Sequence, residues 1–412
     1  MEGIFYLLAT VIILKGLVGV LQGLHYRRYF QREINDVTYS SPALVSVIVP
    51  CKGQDFELAQ NLQAMLDQDY EDYEVIFVTA SDKDSSLPVI HEVVKIFPSR
   101  RVKIVRAGFS EGQGEKVNNL IQGIHQSDRK SQVLVFADSD GRPHRLWLKD
   151  LLKRLYEPNV GASSGYRWFF PRNGNFASVL RASWNGAIAS LLGNHKHNFA
   201  WGGSTAIQRL NLKRINLLKY WEHTISDDFS LTEAVHNACL HVHFEPRCLV
   251  SSHGDCTWSE LLEWSSRQII ITKIYSRSLW KLTFLSEVPF VLFFCWALGK
   301  LVWLISTGVS TVNSAIVTVL PLSILIGVVF LLSSIRGFLR WEMVRSLHPE
   351  EKECLDRDWW GYLLLAPLVS TLTIYNLIIS LFSSTVRWRG VYYDLKSKNE
   401  VHIIHDTKKK NR

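Results

Sequence analysis

Asp138 and Asp140 stand one residue apart in "VLVFADSDGRPH", residues 133–144, where a run of apolar and β-branched residues ends. Two carboxylates spaced by the small Ser139 can close around one hard divalent cation, Mg²⁺ or Mn²⁺, which in turn carries the phosphates of a leaving group. A plain turn is the competing reading, because Asp, Ser and Gly gather in turns to bond their own main chain. A second acidic pair, Asp227 and Asp228 in "ISDDFSL", precedes the helical run "FSLTEAVHNA". There a carboxylate can take a proton from a reacting hydroxyl. It can equally cap the helix, a task that suits Ser226, Asp227 and Asp228 alike. Lys52 and Gly53 follow a strand-ending Pro50, offering a cation and a close backbone approach, and Lys116 in "GQGEKVNN" supplies a further positive charge. "EGQGEK" lacks the GK[ST] ending of a phosphate-cradling P-loop.

Such side chains must be held on a common rim. "LVSVIVP" (44–50), "YEVIFVTA" (73–80), "RVKIVRA" (101–107) and "SQVLVFAD" (131–138) read as strands, with helical periodicity in "FELAQNLQAMLDQ" and "EKVNNLIQGIHQS" between them. The alternation implies a parallel sheet wrapped by helices, in which ligands bind beyond the carboxyl ends of the strands. Pro50, Asp82 and Asp138 all fall at those ends. Four stretches approach the roughly 20 apolar residues of a membrane span, namely 4–24, 288–306, 312–333 and 361–382. The basic "HYRRYFQR" directly after the first places residues 25 to about 285 in the cytosol by the positive-inside rule. Six cysteines without CxxC or paired spacing suit a reducing compartment. A formal net charge of +8 and the "KKKNR" end suit an anionic membrane face, and the apolar spans leave nucleic acid a poor second as partner.

In order, "VPCKGQD" (49–55), "VTASDKDSS" (78–86), "GQGEKVNN" (112–119), "FADSDG" (136–141), "SDDFSL" (226–231) and "VRWRGVYY" (386–393) resemble the membrane-bound family 2 type glycosyltransferases, particularly the ceramide glucosyltransferase branch. The resemblance runs from about residue 44 to 282 and resumes at the tail. It implies an α/β GT-A (Rossmann-like) domain with N-terminal and C-terminal transmembrane helices, a nucleotide-sugar donor (UDP-glucose), a divalent cation and an inverting displacement onto a membrane lipid hydroxyl. On the same footing Asp82 corresponds to the nucleoside contact, with Asp84 competing. Asp138 and Asp140 correspond to the metal site and Asp228 to the catalytic base, with Asp227 in place of a neighbouring Glu. "WGGSTAIQR" resembles the floor between donor and acceptor, where Gly202 and Gly203 admit close approach. Trp388 and Arg389 of the "WRG" motif are expected beside the acceptor head group.

His253 in "SSHGD" is a candidate for the acceptor side. His241 and His243 alternate in "LHVHF" and read as structural. One departure stands out: where relatives carry (Q/R)xxRW, this chain has "RQIII" (267–271), keeping Arg267 but replacing the Arg-Trp pair with Ile270 and Ile271. That weighs against a processive polysaccharide synthase and against ceramide in particular. The expected organisation is an anchor (1–24), a cytosolic catalytic domain (25–257), an interfacial amphipathic helix (258–282), a membrane region (283–382) and a basic tail (383–412). Two alternatives stay open, a polyprenyl-phosphate or surface-polysaccharide transferase and an inactive nucleotide-sugar or lipid sensor. The tail poses a conflict. Four full spans would put it opposite the catalytic domain, whereas its basic charge and "WRG" motif place it alongside. The conflict is resolved if 361–382, with Pro367 and polar Ser370, Thr371, Thr373 and Asn376, re-enters rather than crosses.

Overall fold

The computed structural model describes residues 2–36, 43–306 and 319–404. The "KKKNR" end, residues 312–318 of one expected span and its polar link to the preceding helix lie outside them. The first element, α1 (Glu2–Asn35), outlasts the expected anchor by eleven residues. Tyr26, Tyr29 and Phe30 in that extension join the core of the domain beyond, and the Tyr29 hydroxyl donates to the Phe244 carbonyl (2.5 Å).

The domain is built on β1 (Val45–Pro50), β2 (Tyr73–Thr79), β3 (Arg101–Arg106), β4 (Val133–Ala137), β5 (Val160–Phe170), β6 (Ser204–Gln208) and β7 (His241–His253), ordered β3-β2-β1-β4-β6-β5-β7. The first four strands pair in parallel as the sequence implies. The sheet is mixed beyond that, since β6 runs antiparallel to both β4 and β5. Side chains alternate faces along each strand. Val45, Val47 and Val49 of β1 enter one core and Ile48 enters the other. Helices α2 (Leu58–Leu66), α3 (Ser86–Ile96), α4 (Glu115–Gln126), α5 (Trp147–Leu152), α6 (Phe176–Ala189), α7 (Arg209–Arg214), α8 (Leu217–Trp221) and α9 (Asp227–Asn237) make the connections.

Helix α10 (Trp258–Tyr275) ends seven residues before the expected interfacial helix does, and α11 (Arg277–Ser306) starts immediately after Ser276. Nor does α10 lie bare on a membrane surface. Leu261, Ser265, Ile269, Ile270, Ile271 and Tyr275 are buried, while Trp258 stays exposed. Helices α1, α11 and α12 (Leu320–Leu347) are long and apolar enough to cross a membrane. Gly16, Gly19 and Gly23 of α1 face Leu332, Arg336 and Leu339 of α12, a row of small residues that lets two helices approach closely.

The expected fourth span is broken. Helices α13 (Lys352–Leu364) and α14 (Ala366–Phe382) meet at 71°. Pro367 lies in the first turn of α14, where its missing N–H costs no helical bond. The polar residues of α14 turn toward protein. Asn376 accepts from Ser266 (2.8 Å), Thr373 from the Trp184 indole (3.0 Å) and Ser380 from the Trp280 indole (3.0 Å). The described residues finish with β8 (Thr385–Trp388), β9 (Val391–Ser397) and β10 (Glu400–Ile404), an antiparallel sheet packed on the α/β domain through Val386, Tyr393 and Leu395.

Candidate active site

The topology collects the acids. Asp138 follows β4, and the start of β6 pairs beside the end of β4, through Ala137 and Ser204, so Trp201, Gly202 and Gly203 reach the same rim. Two antiparallel steps return β5 to the direction of β4, carrying Arg167 there. Helix α4 starts with Glu115 and Lys116, and α9 with Asp227 and Asp228.

These side chains interlock. The Lys116 ammonium lies 2.7 Å from Asp138 and 3.2 Å from Asp227. One guanidinium nitrogen of Arg167 sits 3.1 Å from Asp138 and 3.1 Å from Asp140. The paired carboxylates therefore converge on a point that one cationic atom can occupy. Their hard oxygen donors fit Mg²⁺ or Mn²⁺. Lys116 and Arg167 tie these carboxylates together, and Arg389 reaches Asp55 and Asp140 from the other side.

The two acids of α9 differ. Burial pushes the Asp227 carboxyl up to about 7 against the opposing pull of Lys116. Asp228 is bonded through one oxygen to the Ser226 hydroxyl and to the Phe229 backbone N–H, and it lines the cavity. The Ser226 hydroxyl caps α9, so this turn both starts a helix and presents an acid. Burial opposes charge on Asp140 too, yet Arg167, Arg389 and Lys116 hold its carboxyl below the usual range. A side chain at Gly202 would collide with Asp227, and one at Gly203 with Trp201 and Asp138.

The tail closes over this rim. Arg389 and Gly390 form a two-residue hairpin loop with φ of 50° and 81°, the both-positive backbone of a type I′ turn. The turn aims Arg389 at Asp55, with which it pairs, and at Asp140, 3.9 Å away. The Glu115 backbone N–H donates to the Tyr393 hydroxyl (3.3 Å). The Arg267 guanidinium lies 5.2 Å from the Trp388 ring centre, and burial with Arg167 and Arg389 nearby lowers its pKa to about 10.

A cavity of about 570 Å³ runs from this cluster past Trp184 and Trp264 to Ile12 of α1, Phe290 of α11 and Val329 of α12. Lys52, Lys116, Asp138, Asp140, Asp227, Asp228, Arg267, Trp388 and Arg389 all line it. Lys52 does so while paired with Glu115 (2.7 Å). Three candidates sit elsewhere. Asp82 is exposed and paired with Arg106 (2.5 Å). Gly53 has φ +72° and donates its N–H to Asp84 (2.9 Å), which also accepts from the Ser86 N–H and hydroxyl; Asp84 thus braces the start of α3. His253 stacks on Phe170 and bonds Glu351 (2.6 Å), off the cavity. Arg167 and Asp55 escaped the sequence reading. A single arginine inside the apolar run "GYRWFF" was the available signal for Arg167.

The family model for glycosyl transferase family 21 matches residues 8–401. The chain belongs to that family. Among curated members, ceramide glucosyltransferase 1 of Caenorhabditis elegans is 35% identical over 91 residues, 22% of this chain and 19% of that protein. Ceramide glucosyltransferase of Komagataella phaffii is 30% identical over 100 residues, 23% and 19%. The matched segments thus span about a fifth of each relative. Among solved structures, a mannosyltransferase from Pyrobaculum calidifontis in complex with GDP-Man and Mn²⁺ aligns over 92% of this chain and 98% of its own, at 16% identity and TM-score 0.47. Glucosyl-3-phosphoglycerate synthase from Mycobacterium tuberculosis, with Mn²⁺ and UDP-glucose, aligns over 56% and 78%, at 16% identity and TM-score 0.35. This family 21 chain has the expected class of fold, an α/β GT-A domain with apolar helices at both ends.

Proposed function

We propose that this family 21 protein transfers a hexose, glucose foremost, from a nucleoside diphosphate to the hydroxyl of a membrane lipid, with inversion and with the catalytic domain in the cytosol. One observation carries the reading. A single cavity joins a charged cluster at the sheet rim to apolar helices long enough to cross a membrane. A water-soluble donor and a lipid acceptor have a meeting place there. Support for the chemistry comes from named relatives that are ceramide glucosyltransferases, and for the donor from the solved proteins that hold Mn²⁺ with GDP-Man or UDP-glucose.

In this reading Asp138 and Asp140 would hold a divalent cation, which when bound would supply positive charge to a leaving diphosphate. Lys116 and Arg167 fix both carboxylates and add positive charge beside that phosphate. Asp228 accepts the acceptor hydroxyl proton, and Asp227 keeps Lys116 in register. Trp388 and Arg389 cover the acceptor head group. Tail and catalytic domain share one side, with 361–382 returning as a re-entrant pair of helices.

The test is purified full-length protein incubated with a panel of nucleotide sugars, in Mn²⁺ and membrane lipid. Release of free nucleotide from UDP-glucose, dependent on added lipid, is expected. Nucleotide binding without turnover for every donor would overturn the transferase in favour of a sensor.

A further inference from the structure

Arg336 and Arg340 lie one turn apart on α12, and both line the cavity. Residues i and i+4 share a helix face, so the two guanidiniums face the same space. Other charged groups on these helices have ion-pair partners, and Glu287, the acid whose charge reaches Arg336, is itself held by Lys15. Lys15 takes Glu287 (3.2 Å), Arg27 takes Glu342 (2.8 Å) and Arg345 takes Asp356 (2.6 Å). Among the described residues neither Arg336 nor Arg340 has an acidic partner within ion-pair distance, and the buried Arg340 Nε has no acceptor. The Arg336 guanidinium lies along Gly19, inside the apolar stretch of α1, and Leu339, next to Arg340, meets Gly23 at its edge.

An arginine held in a membrane segment without an acceptor is costly, and two in one cavity compound the cost by mutual repulsion. Ionised guanidiniums prefer phosphate, which they bind through parallel N–H···O bonds. Depth decides the source. The edge of the first apolar stretch is where the phosphate layer of a bilayer leaflet falls, and apolar Ile12, Phe290 and Val329 continue the cavity where acyl chains would run. We propose that Arg336 and Arg340 form a binding site for the anionic phosphate of a membrane lipid, whose tails lie between α1, α11 and α12. The site stands independently of sugar transfer, because it needs neither donor nor Asp228.

The experiment uses the full chain in neutral detergent, without nucleotide sugar, and follows thermal unfolding against added dioleoyl phosphatidate, dioleoylglycerol or inorganic phosphate. Phosphatidate alone should raise the melting temperature by several degrees. In Arg336→Gln/Arg340→Gln the apparent affinity for phosphatidate should fall about tenfold or more, the scale of losing charged hydrogen bonds. Arg336→Lys/Arg340→Lys, which keeps the charge but not the bidentate fork, should fall between. Because the double Gln variant removes unpaired charge, its unliganded melting temperature should match or exceed that of the parent, which separates lost binding from lost folding. An equal response to dioleoylglycerol, an equal response to inorganic phosphate, or an undiminished phosphatidate response in the Gln variant would each overturn the proposal.

Discussion

Gly202→Ala tests how tightly the cluster is set. An added Cβ would overlap the Asp227 carboxylate oxygen, with the carboxyl carbon at 2.8 Å and the Lys116 Nζ at 2.9 Å, where ordinary contact begins at 3.4 Å. The Asp227 carboxyl must therefore retreat by about 0.6 Å at its carbon and by more at its overlapping oxygen, and the Lys116 ammonium by about 0.5 Å. Neither can do so alone, because Lys116 also holds Asp138 at 2.7 Å. Misplacement near 1 Å costs on the order of a hundredfold in rate, and half of that exhausts the tolerance of a preorganised site. Turnover should fall tenfold to a hundredfold, roughly 1.4 to 2.7 kcal/mol in the barrier. The assay is steady-state nucleotide release at saturating donor, beside a thermal melt to show that the fold persists. Turnover within threefold of the parent, in a variant that melts normally, would refute the claim that Asp227, Lys116 and Asp138 form one rigid chain.

Chelation should abolish transfer and Mn²⁺ or Mg²⁺ restore it, with Asp138→Asn and Asp140→Asn each weakening donor binding by calorimetry; full activity of the double variant in EDTA would remove the metal. Asp228→Asn should keep donor affinity while turnover drops about a hundredfold, and a parallel loss of affinity would reassign Asp228 to the donor site. Asp227 carries a sign that can be read in stability. Its folded pKa, about 7, exceeds the unfolded value of 3.8, so between those pH values the folded chain holds a proton that the unfolded chain has lost, and its contribution falls as pH rises. The melting temperature of the parent relative to Asp227→Asn, in chelator, should decline from pH 4 to 7; a flat difference would contradict the raised pKa. A cysteine placed at Asn399, with native thiols replaced, should resist impermeant maleimide on intact cells. Labelling there would place the tail opposite the catalytic domain.

Strands marked by β-branched runs were legible, and so were the acids at their ends: β1, β2, β3 and β4 lie within a residue or two of where the sequence placed them. In the half built of β5, β6 and β7 only the start of β7, in the alternating "LHVHF", was legible. "VGASSGYRWFF" puts small polar residues where a strand signal wants Val or Ile. Those small residues suit the place, since a Cβ at Gly165 would strike the Cys248 backbone on the neighbouring strand. Composition cannot announce that need. For the same reason Arg167, the residue that ties the paired aspartates together, was hidden in an apolar run. Asp82 stands apart from the other acids. Motif position placed it at the rim, but the turn after β2 points Asp84 inward and leaves Asp82 to Arg106 at the surface. The amphipathic reading of 258–282 mistook burial by neighbouring protein for burial by lipid, which the same apolar stripe signals equally well.

The seating of the β8–β10 sheet on the rim bears on how the protein is made. A ribosome delivers the acids of the sheet rim first, then α11 and α12, and only afterwards the hairpin that brings Trp388 and Arg389 to Asp55 and Asp140. Polypeptides emerge and fold from the N-terminal end, so a nascent chain displays a cluster of carboxylates lacking its cover until α11 and α12 have both been made. The cover of the rim is thereby the last described element to be made, and a chain cut short after α12 would keep α1, the sheet and its acids but lack the hairpin that pairs Arg389 with Asp55.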